Sequence, residues 1–499
     1  MSRINTNVSS LLSQRVLNQN NATLNKSLER LSTGLRINRG ADDPAGLIAS
    51  EALRSQQASI SAAIGNAERA DQVANIAEGG LQEVNSLLLE VQSLVGQSAN
   101  DAGLSDDEKE ANQLQIDSIL QTIDRIAQTT SFQGTKLLNG TYDFQVTGQA
   151  ATVEDVRINA AKIDFGDTRD VDVLVTQSAQ QAGFFLSIGA TALDLTDADS
   201  LFTIDVAGQD GSRQFSFGSG TTLADAAAAI NTFSDVTGVS AANSGNGIRL
   251  DSIEFGSDAF VSVQVTDDGG ESGQINVLSA NNTNVLGAAG SATAFSAATT
   301  AVRDEGQDVG AVINGVAATS NGKSARIATD FLDIEVDLTT AGSQATTKID
   351  AVTITGGGAN FNLGPNVDIG NQVSIGLGNV AVRNLGNETN GFLDTLGAGK
   401  DNNVVDGDLT SAQKIVNDAI AQVSGLRGRI GAFQKNTVGA TIRSLGVALE
   451  NTAAAESAIR DTDFAAETAE LTRAQILQQA STSVLGIANS QPQSALSLL

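Results

Sequence analysis

The stretch PAGLIASEALRSQQASISAAIGNAERADQVANIAEGGLQEVNSLLLEVQSLVGQ (44–97) decides the fold. Leu53, Ile60, Ala67, Ala74, Leu81, Leu88 and Val95 fall seven residues apart, and Ala63, Ala70, Ala77, Val84 and Val91 follow members of that set by three. Heptads divided three and four mark a helix with one narrow apolar seam. Asp43 and Pro44 supply its N-cap and first helical residue. At 1.5 Å per residue such a helix is ~80 Å long, and nothing so long and so narrowly apolar stands alone.

Its partners are legible on both sides. Ser105 and Glu108 form a capping box for a third helix, which carries Ile116, Ile119, Ile123 and Ile126 on one face and is expected to run back antiparallel. SFQGTKLLNG (131–140) reads as a hairpin-like exit. Upstream, Leu17, Leu24, Leu28, Leu31 and Leu35 have the 7-4-3-4 spacing of a coiled-coil seam, and Gly40 is the expected stop. From about residue 406 the heptad returns in Val416, Val423 and Ile430, alternating with Ala419, Leu426 and Phe433. The stripe then shifts to Val438, Ile442, Leu445 and Leu449, and ends in Leu477, Ala480, Val484 and Ile487. After Arg473 there is no charged side chain, although the formal net charge is −28.

The middle has another texture. Alternating runs such as DVDVLV, LFTIDV, QFSF, AFVSVQV and DFLDIEVDL, divided by Gly, Asn and Asp, predict short strands, and TTLADAAAAINTF (221–233) predicts one embedded helix. Fourteen of the 17 Phe lie in 141–400, as expected of a section with its own aromatic core. That section holds 11 basic and 31 acidic residues, so most of the repulsive charge sits there. The fold class is therefore mainly α ends plus a β-rich insertion. Two incomplete amphipathic ends that need each other, and neighbouring copies, describe an assembly subunit.

Composition excludes other classes. An acidic chain without a basic stripe is no nucleic-acid binder. There is no Cys and no His, which removes disulfides, thiolate nucleophiles, the commonest general base and the usual zinc ligands. Asp42–Asp43 and Asp106–Asp107 read as helix caps, and DVDV (170–173) and DGG (268–270) as solvated turns without the spacing of an EF-hand loop. No enzyme, metal or cofactor is expected. No run approaches the ~20 apolar residues of a membrane helix and no secretory signal is visible, so membrane insertion is not expected and export requires another route.

The chain resembles the bacterial flagellins, subunits of the flagellar filament. The resemblance lies in INTNVSSLLSQRVLNQN (4–20), LERLSTGLRIN (28–38), ADDPAGLIAS (41–50), FQGTKLL (132–138), DTDFAAETAELTRAQILQQASTSVLGIAN (461–489) and the terminal SLL. GPNVDIGNQVSIGLGNVAVRNLG (364–386) is similar to the strand pair that leads many flagellins back into their C-terminal helix, and 196–268 resembles the β-α-β IN module. The resemblance implies that 1–43 and 455–499 pair as a coiled-coil domain in the filament's inner core. It further implies a helical rod from 44–150 and 401–454 and a surface insertion from 151–400. Leu17, Leu24, Leu28, Leu31, Leu35, Leu477, Ala480, Val484 and Ile487 become terminal-seam assembly residues. Leu53, Ile60, Leu81, Leu88, Ile116, Ile123, Val423, Leu426, Ile430 and Phe433 become rod packing. The implied partners are copies of the chain in a helical filament, an export chaperone at the C-terminal helix, the filament cap and the hook-associated junction proteins. The implied route is unfolded export through the flagellar type III apparatus to an extracellular flagellum.

Two other roles share these features: a hook–filament junction protein, which has the same helical ends, and a surface adhesin acting through the β insertion. One departure from the family is local. The patch read by the innate flagellin receptor of animals aligns with LEVQSLVGQSAN (89–100), where Glu90 and Gln92 replace arginines and Leu94 is retained; Gln115 replaces a glutamate on the third helix.

Overall fold

The computed structural model describes residues 6–100, 102–164, 167–195, 199–277 and 292–496; the terminal SLL lies outside them. Among the described residues the α-helices are α1 (Val8–Thr33), α2 (Pro44–Ser98), α3 (Asp106–Thr129), α4 (Leu223–Asn231), α5 (Ser234–Thr237), α6 (Thr340–Gln344), α7 (Leu409–Ala432), α8 (Gly439–Arg460) and α9 (Phe464–Leu496). By packing the chain divides into one unit of Met1–Gln72, Asn362–Asn371 and Ala432–Leu499 and another of Val73–Phe361 and Gln372–Gly431.

In the first unit α1 and α9 pair antiparallel. Asn7 Nδ2 donates to the Ala488 carbonyl (2.8 Å), Asn20 Nδ2 to Ser481 Oγ (2.6 Å), and Arg30 meets Glu467 at 3.4 Å. The sequence expectation for helix α1's end needs correcting. Gly34, not Gly40, is the C-cap, in the left-handed region at φ +75° with its N–H on the Arg30 carbonyl, because a residue without Cβ adopts that conformation without strain. The following corner is tied to the other chain end: Arg36 N–H donates to the Arg460 carbonyl (2.7 Å) and Thr462 N–H to that of Gly34 (2.9 Å). Asp42 accepts hydrogen bonds from Lys26, Arg39 and Asn38, which together hold its carboxyl below the usual range against its partial burial. Asp43 Oδ1 caps Gly46 N–H (2.9 Å) at the start of α2.

Phe433–Val438 is π-helical, at the point where the sequence stripe slips by one residue between Phe433 and Val438. A π turn takes up one additional residue, so the slip is absorbed in the backbone. Along α8 the inward positions are then Val438, Ile442, Leu445, Leu449 and Thr452, buried or half-buried. Arg460 meets Glu51 of α2 at 3.1 Å.

The second unit contains a helical bundle and two β-sandwiches. Leu81, Leu88 and Val95 from α2, Ile116 and Ile123 from α3, and Val423, Leu426 and Ile430 from α7 are buried. The capping box of α3 is made by Ser105 and Glu108. Gln113 bridges the Leu396 carbonyl and the Val404 N–H (2.9 and 2.8 Å), satisfying a buried polar side chain. The hairpin Ser131–Phe132 and Thr135–Lys136 turns through Gln133 and Gly134, both at positive φ.

The expected strands form, but in two nested cores where the sequence suggested one aromatic section. The inner sandwich packs the sheet Val316–Ala317, Gly310–Ile313, Arg169–Gln177, Lys348–Gly357, Phe144–Thr147 on the sheet Thr319–Asn321, Ser324–Ala328, Leu332–Leu338, Val153–Ala161. Its core is aliphatic apart from Phe144. The outer sandwich comprises Ala292–Ala294, Gln274–Val277, Gly183–Ser187, Gly247–Ser252, Val239–Asn243 and, opposite, Val302–Glu305, Phe260–Asp267, Leu201–Gly208, Ser212–Gly218. Here α4 joins the core with Phe184, Phe202, Phe215, Phe217 and Phe295; Phe202 and Phe295 lie 5.0 Å apart. The outer sandwich is thus inserted between two strands of the inner one. In the neck Gln180 and Gln307 exchange backbone hydrogen bonds (2.8 and 2.9 Å). Asp308 Oδ1 accepts from Ser257 N–H and Gly322 N–H (3.0 and 2.8 Å), and Oδ2 from Ser257 Oγ (2.6 Å). In 364–386, where a strand pair was expected, Gln372–Ile375 forms a strand that joins Ala359–Asn362, and Gly386 opens a short strand, Gly386–Asn387, that joins Gly391–Phe392.

Candidate assembly interface

The α1–α9 pair presents two different faces. On α9 the residues turned to α1 are Ala474, Gln478, Ser481, Leu485 and Ala488, spaced four and three; on α1 they include Ser13, Leu17, Asn20, Leu24, Ser27 and Leu31. Small residues let the helices approach closely, and Asn20 and Asn7 then reach partners across the seam. Hydrogen bonds at a seam fix direction and register more than they add stability.

On α9 the apolar stripe read from the sequence is not that seam, although Leu17, Leu24 and Leu31 of the α1 stripe lie in it. Leu477 and Val484 are 46 % and 53 % exposed, and Ile487 is 63 % exposed; Ala480 is exposed too. The side of α9 that does pair is mostly Ala, Ser and Gln, whose weak hydropathy leaves no periodic signal. Of the α1 leucines, Leu17, Leu24, Leu31 and Leu35 are half-buried and Leu28 is exposed. Val8, Leu11, Leu12 and Val16 of α1 and Ile476 of α9 are exposed as well, and sequence reasoning did not single them out. The signal was available, since residues 8–16 hold one charge, Arg15, and Ile476 lies in the uncharged run after Arg473.

The remaining sequence-selected positions fall as follows. Ile60 and Phe433 are buried and Leu53 is half-buried. Glu90 and Gln115 are exposed, while Gln92 donates to Asn417 Oδ1 at 2.7 Å. Leu94, 6 % exposed, serves the bundle interior and offers no side chain to a partner. Among the described residues there is no cluster of metal-type ligands and no helix long and apolar enough to cross a membrane.

A chain whose two ends form one helical pair and leave its apolar side open is a subunit of a polymer. Family comparison agrees. The bacterial flagellin N-terminal helical region matches residues 4–143, the C-terminal helical region 413–499, and the flagellin hook IN motif 202–254. The chain is 31 % identical to the B-type flagellin of Pseudomonas aeruginosa and 30 % identical to the flagellin of Salmonella choleraesuis, each over 99 % of both chains. A solved structure of FliC from Burkholderia pseudomallei matches 73 % of this chain and 99 % of its own at 13 % identity, with a TM-score of 0.21. The chain belongs to the bacterial flagellins: it is a structural subunit of the extracellular flagellar filament.

Proposed function

We propose that the uncovered stripe Leu477, Ala480, Val484 and Ile487, with Val8, Leu11, Leu12 and Val16, is the surface through which copies of the chain stack in the filament's inner core. The carrying observation is that this stripe stays exposed while α1 and α9 pair through another face of α9, which is mostly small and polar. Stacking removes it from water at ~25 cal/mol per Å² of apolar area, which offsets the ordering of the ends. The missing charge after Arg473 suits this role. Each residue of a homopolymer meets its own copies, so a buried charge would be repeated beside like charges.

In this reading 1–43 and 455–499 form the inner core and 44–150 with 401–454 the rod. Residues 151–400 form the surface insertion, with the IN-like module at about 196–268. The subunit is secreted unfolded by the type III route, its C-terminal helix held by an export chaperone, and it assembles beneath the cap from a base of hook-associated junction proteins. The motif RAQILQQASTSVL (473–485) favours the filament subunit over the junction protein, and the acidic insertion belongs outside.

Val484→Asp is the test. Seeded polymerisation followed by sedimentation and electron microscopy should be abolished, with the melting temperature of the monomer unchanged. Normal filaments from this variant would remove the stripe from assembly.

A further inference from the structure

Five Asn–Gly pairs occur in the sequence: 139–140, 246–247, 314–315, 321–322 and 390–391. This dipeptide is chemically labile, because the glycine nitrogen can attack the asparagine amide carbon without obstruction from a side chain. Three groups govern the step: the nucleophilic N–H, the amide oxygen that takes up negative charge, and the amide nitrogen that leaves.

In three pairs the fold holds at least one of these groups away, and in a fourth it pins the surrounding backbone. Asn314 Nδ2, the leaving nitrogen, donates to the Asp170 carbonyl at 3.0 Å, and this opposes the single donor, Asp172 N–H, on its Oδ1 (2.8 Å). Gly322 N–H, the nucleophile of its pair, donates to Asp308 Oδ1 at 2.8 Å. Asn390 Nδ2, the leaving nitrogen, donates to Asp418 Oδ2 at 2.7 Å. Gly247 is buried in strand Gly247–Ser252, and the Asn246 carbonyl receives the N–H of both Ile188 and Gly189 (3.0 Å each). The backbone on either side of that reacting peptide is pinned.

Asn139–Gly140 is arranged in the opposite sense. Asn139 Oδ1 accepts two hydrogen bonds, from Thr141 N–H (3.1 Å) and Thr141 Oγ (2.7 Å). These donors polarise the side-chain carbonyl and face the oxygen on which charge develops during attack. Among the described residues Asn139 Nδ2 and Gly140 N–H have no hydrogen-bond partner. Gly140 lies at φ +87°, a conformation that glycine adopts without strain. Asn139 and Gly140 are half-buried and Thr141 is exposed, so water reaches the site.

We propose that Asn139 is a site of spontaneous covalent modification, converting through a succinimide to isoaspartate and aspartate. Gly140 N attacks Asn139 Cγ and gives its proton to water, the Cγ–Nδ2 bond breaks, and ammonia leaves. Water then opens the ring at either carbonyl. The product carries one more negative charge and, in the isoaspartyl form, one additional methylene in the main chain. It lies where the hairpin Ser131–Lys136 passes into the inner sandwich. The reaction needs no enzyme and does not reverse to asparagine, so each subunit carries a record of its age.

The test is a time course of the folded full-length protein at mildly alkaline pH, with peptide mapping for loss of ammonia and for isoaspartate. Asn139 should convert at least ~10-fold faster than the other four asparagines, the factor that one well-placed hydrogen bond supplies. Thr141→Val should slow it by up to that factor and Thr141→Ser should restore it. Equal rates at all five pairs, a faster reaction at another pair, or indifference to Thr141→Val would each overturn the assignment.

Discussion

Asn20 Nδ2 donates to Ser481 Oγ at 2.6 Å, joining α1 to α9 across a seam in which Ser481 is itself buried. Each partner is small and polar, and the pair sets which face of α9 stays uncovered. Asn20→Ala should weaken the pairing by about 1 kcal/mol. Ser481→Leu should cost about 1–3 kcal/mol, because a larger side chain forces the helices apart. Calorimetry of filaments at fixed protein concentration measures both. A higher filament melting temperature in Ser481→Leu would show that the seam is not closely packed.

Removal of Arg473–Leu499 should leave a folded, soluble monomer that does not polymerise, since it takes nothing from the bundle or the sandwiches. Sedimentation of the truncated chain with added seeds measures the loss. Ordinary filaments would place the assembly surface elsewhere.

The π turn at Phe433–Val438 makes a prediction about backbone length. Deleting exposed Asn436 restores seven-residue spacing between Ile430 and the residue now at Val438. The segment should become ordinary α-helix and the monomer should melt no lower than the parent. A deletion at exposed Ala421, inside the unbroken heptad of α7, should unfold the bundle. Thermal melts of the two deletions distinguish these outcomes, and equal loss in both would refute the account of the slip.

Glu90 is exposed, and the family resemblance implies that flagellins stimulating the innate receptor carry arginine at this position. Reversing that charge can cost several kcal/mol at an interface. The monomer should therefore be a weak agonist, and Glu90→Arg with Gln92→Arg should partly restore signalling in a reporter-cell dose series. Gln92→Arg also breaks the hydrogen bond to Asn417, so Glu90→Arg alone is the cleaner arm. A potent response to the unaltered protein would refute the prediction.

The neck at Asp308 should be sensitive to acid. Burial opposes its ionisation, but hydrogen bonds from Ser257 and Gly322 outweigh burial and hold the carboxyl below its ordinary 3.8. A carboxyl lowered in the folded state contributes stability above its unfolded value and loses it as pH falls through the folded value. Hydrogen exchange at residues 178–182 and 305–309 should therefore accelerate below about pH 3.8. Asp308→Asn should exchange faster at neutral pH and lack that step. A step that survives the substitution would assign it to another group.

Much of the helical architecture was legible because its signal repeats. Leu81, Leu88 and Val95 repeat one heptad position three times, and a period survives single exceptions. The α9 half of the α1–α9 seam was illegible for the converse reason: Ala474, Ser481 and Ala488 pack by being small, and no hydropathy pattern reports smallness, whereas Leu17, Leu24 and Leu31 on α1 kept a readable spacing. The stop at Gly34 competed with Gly40, and the choice fell to the Arg30 carbonyl and the Gly34–Thr462 tie, the latter joining distant parts of the chain. The sandwiches were hidden by range. Strand Val153–Ala161 lies beside Leu332–Leu338, and no local pattern in either segment specifies the other.

The paired neck at Gln180 and Gln307 makes the outer sandwich a replaceable cassette. The chain departs and returns at adjacent points, so a short turn could bridge the gap with little loop-closure cost, and a foreign domain with neighbouring termini could occupy the same place. A lineage, or an engineer, can exchange the outer sandwich without touching the helices of either unit.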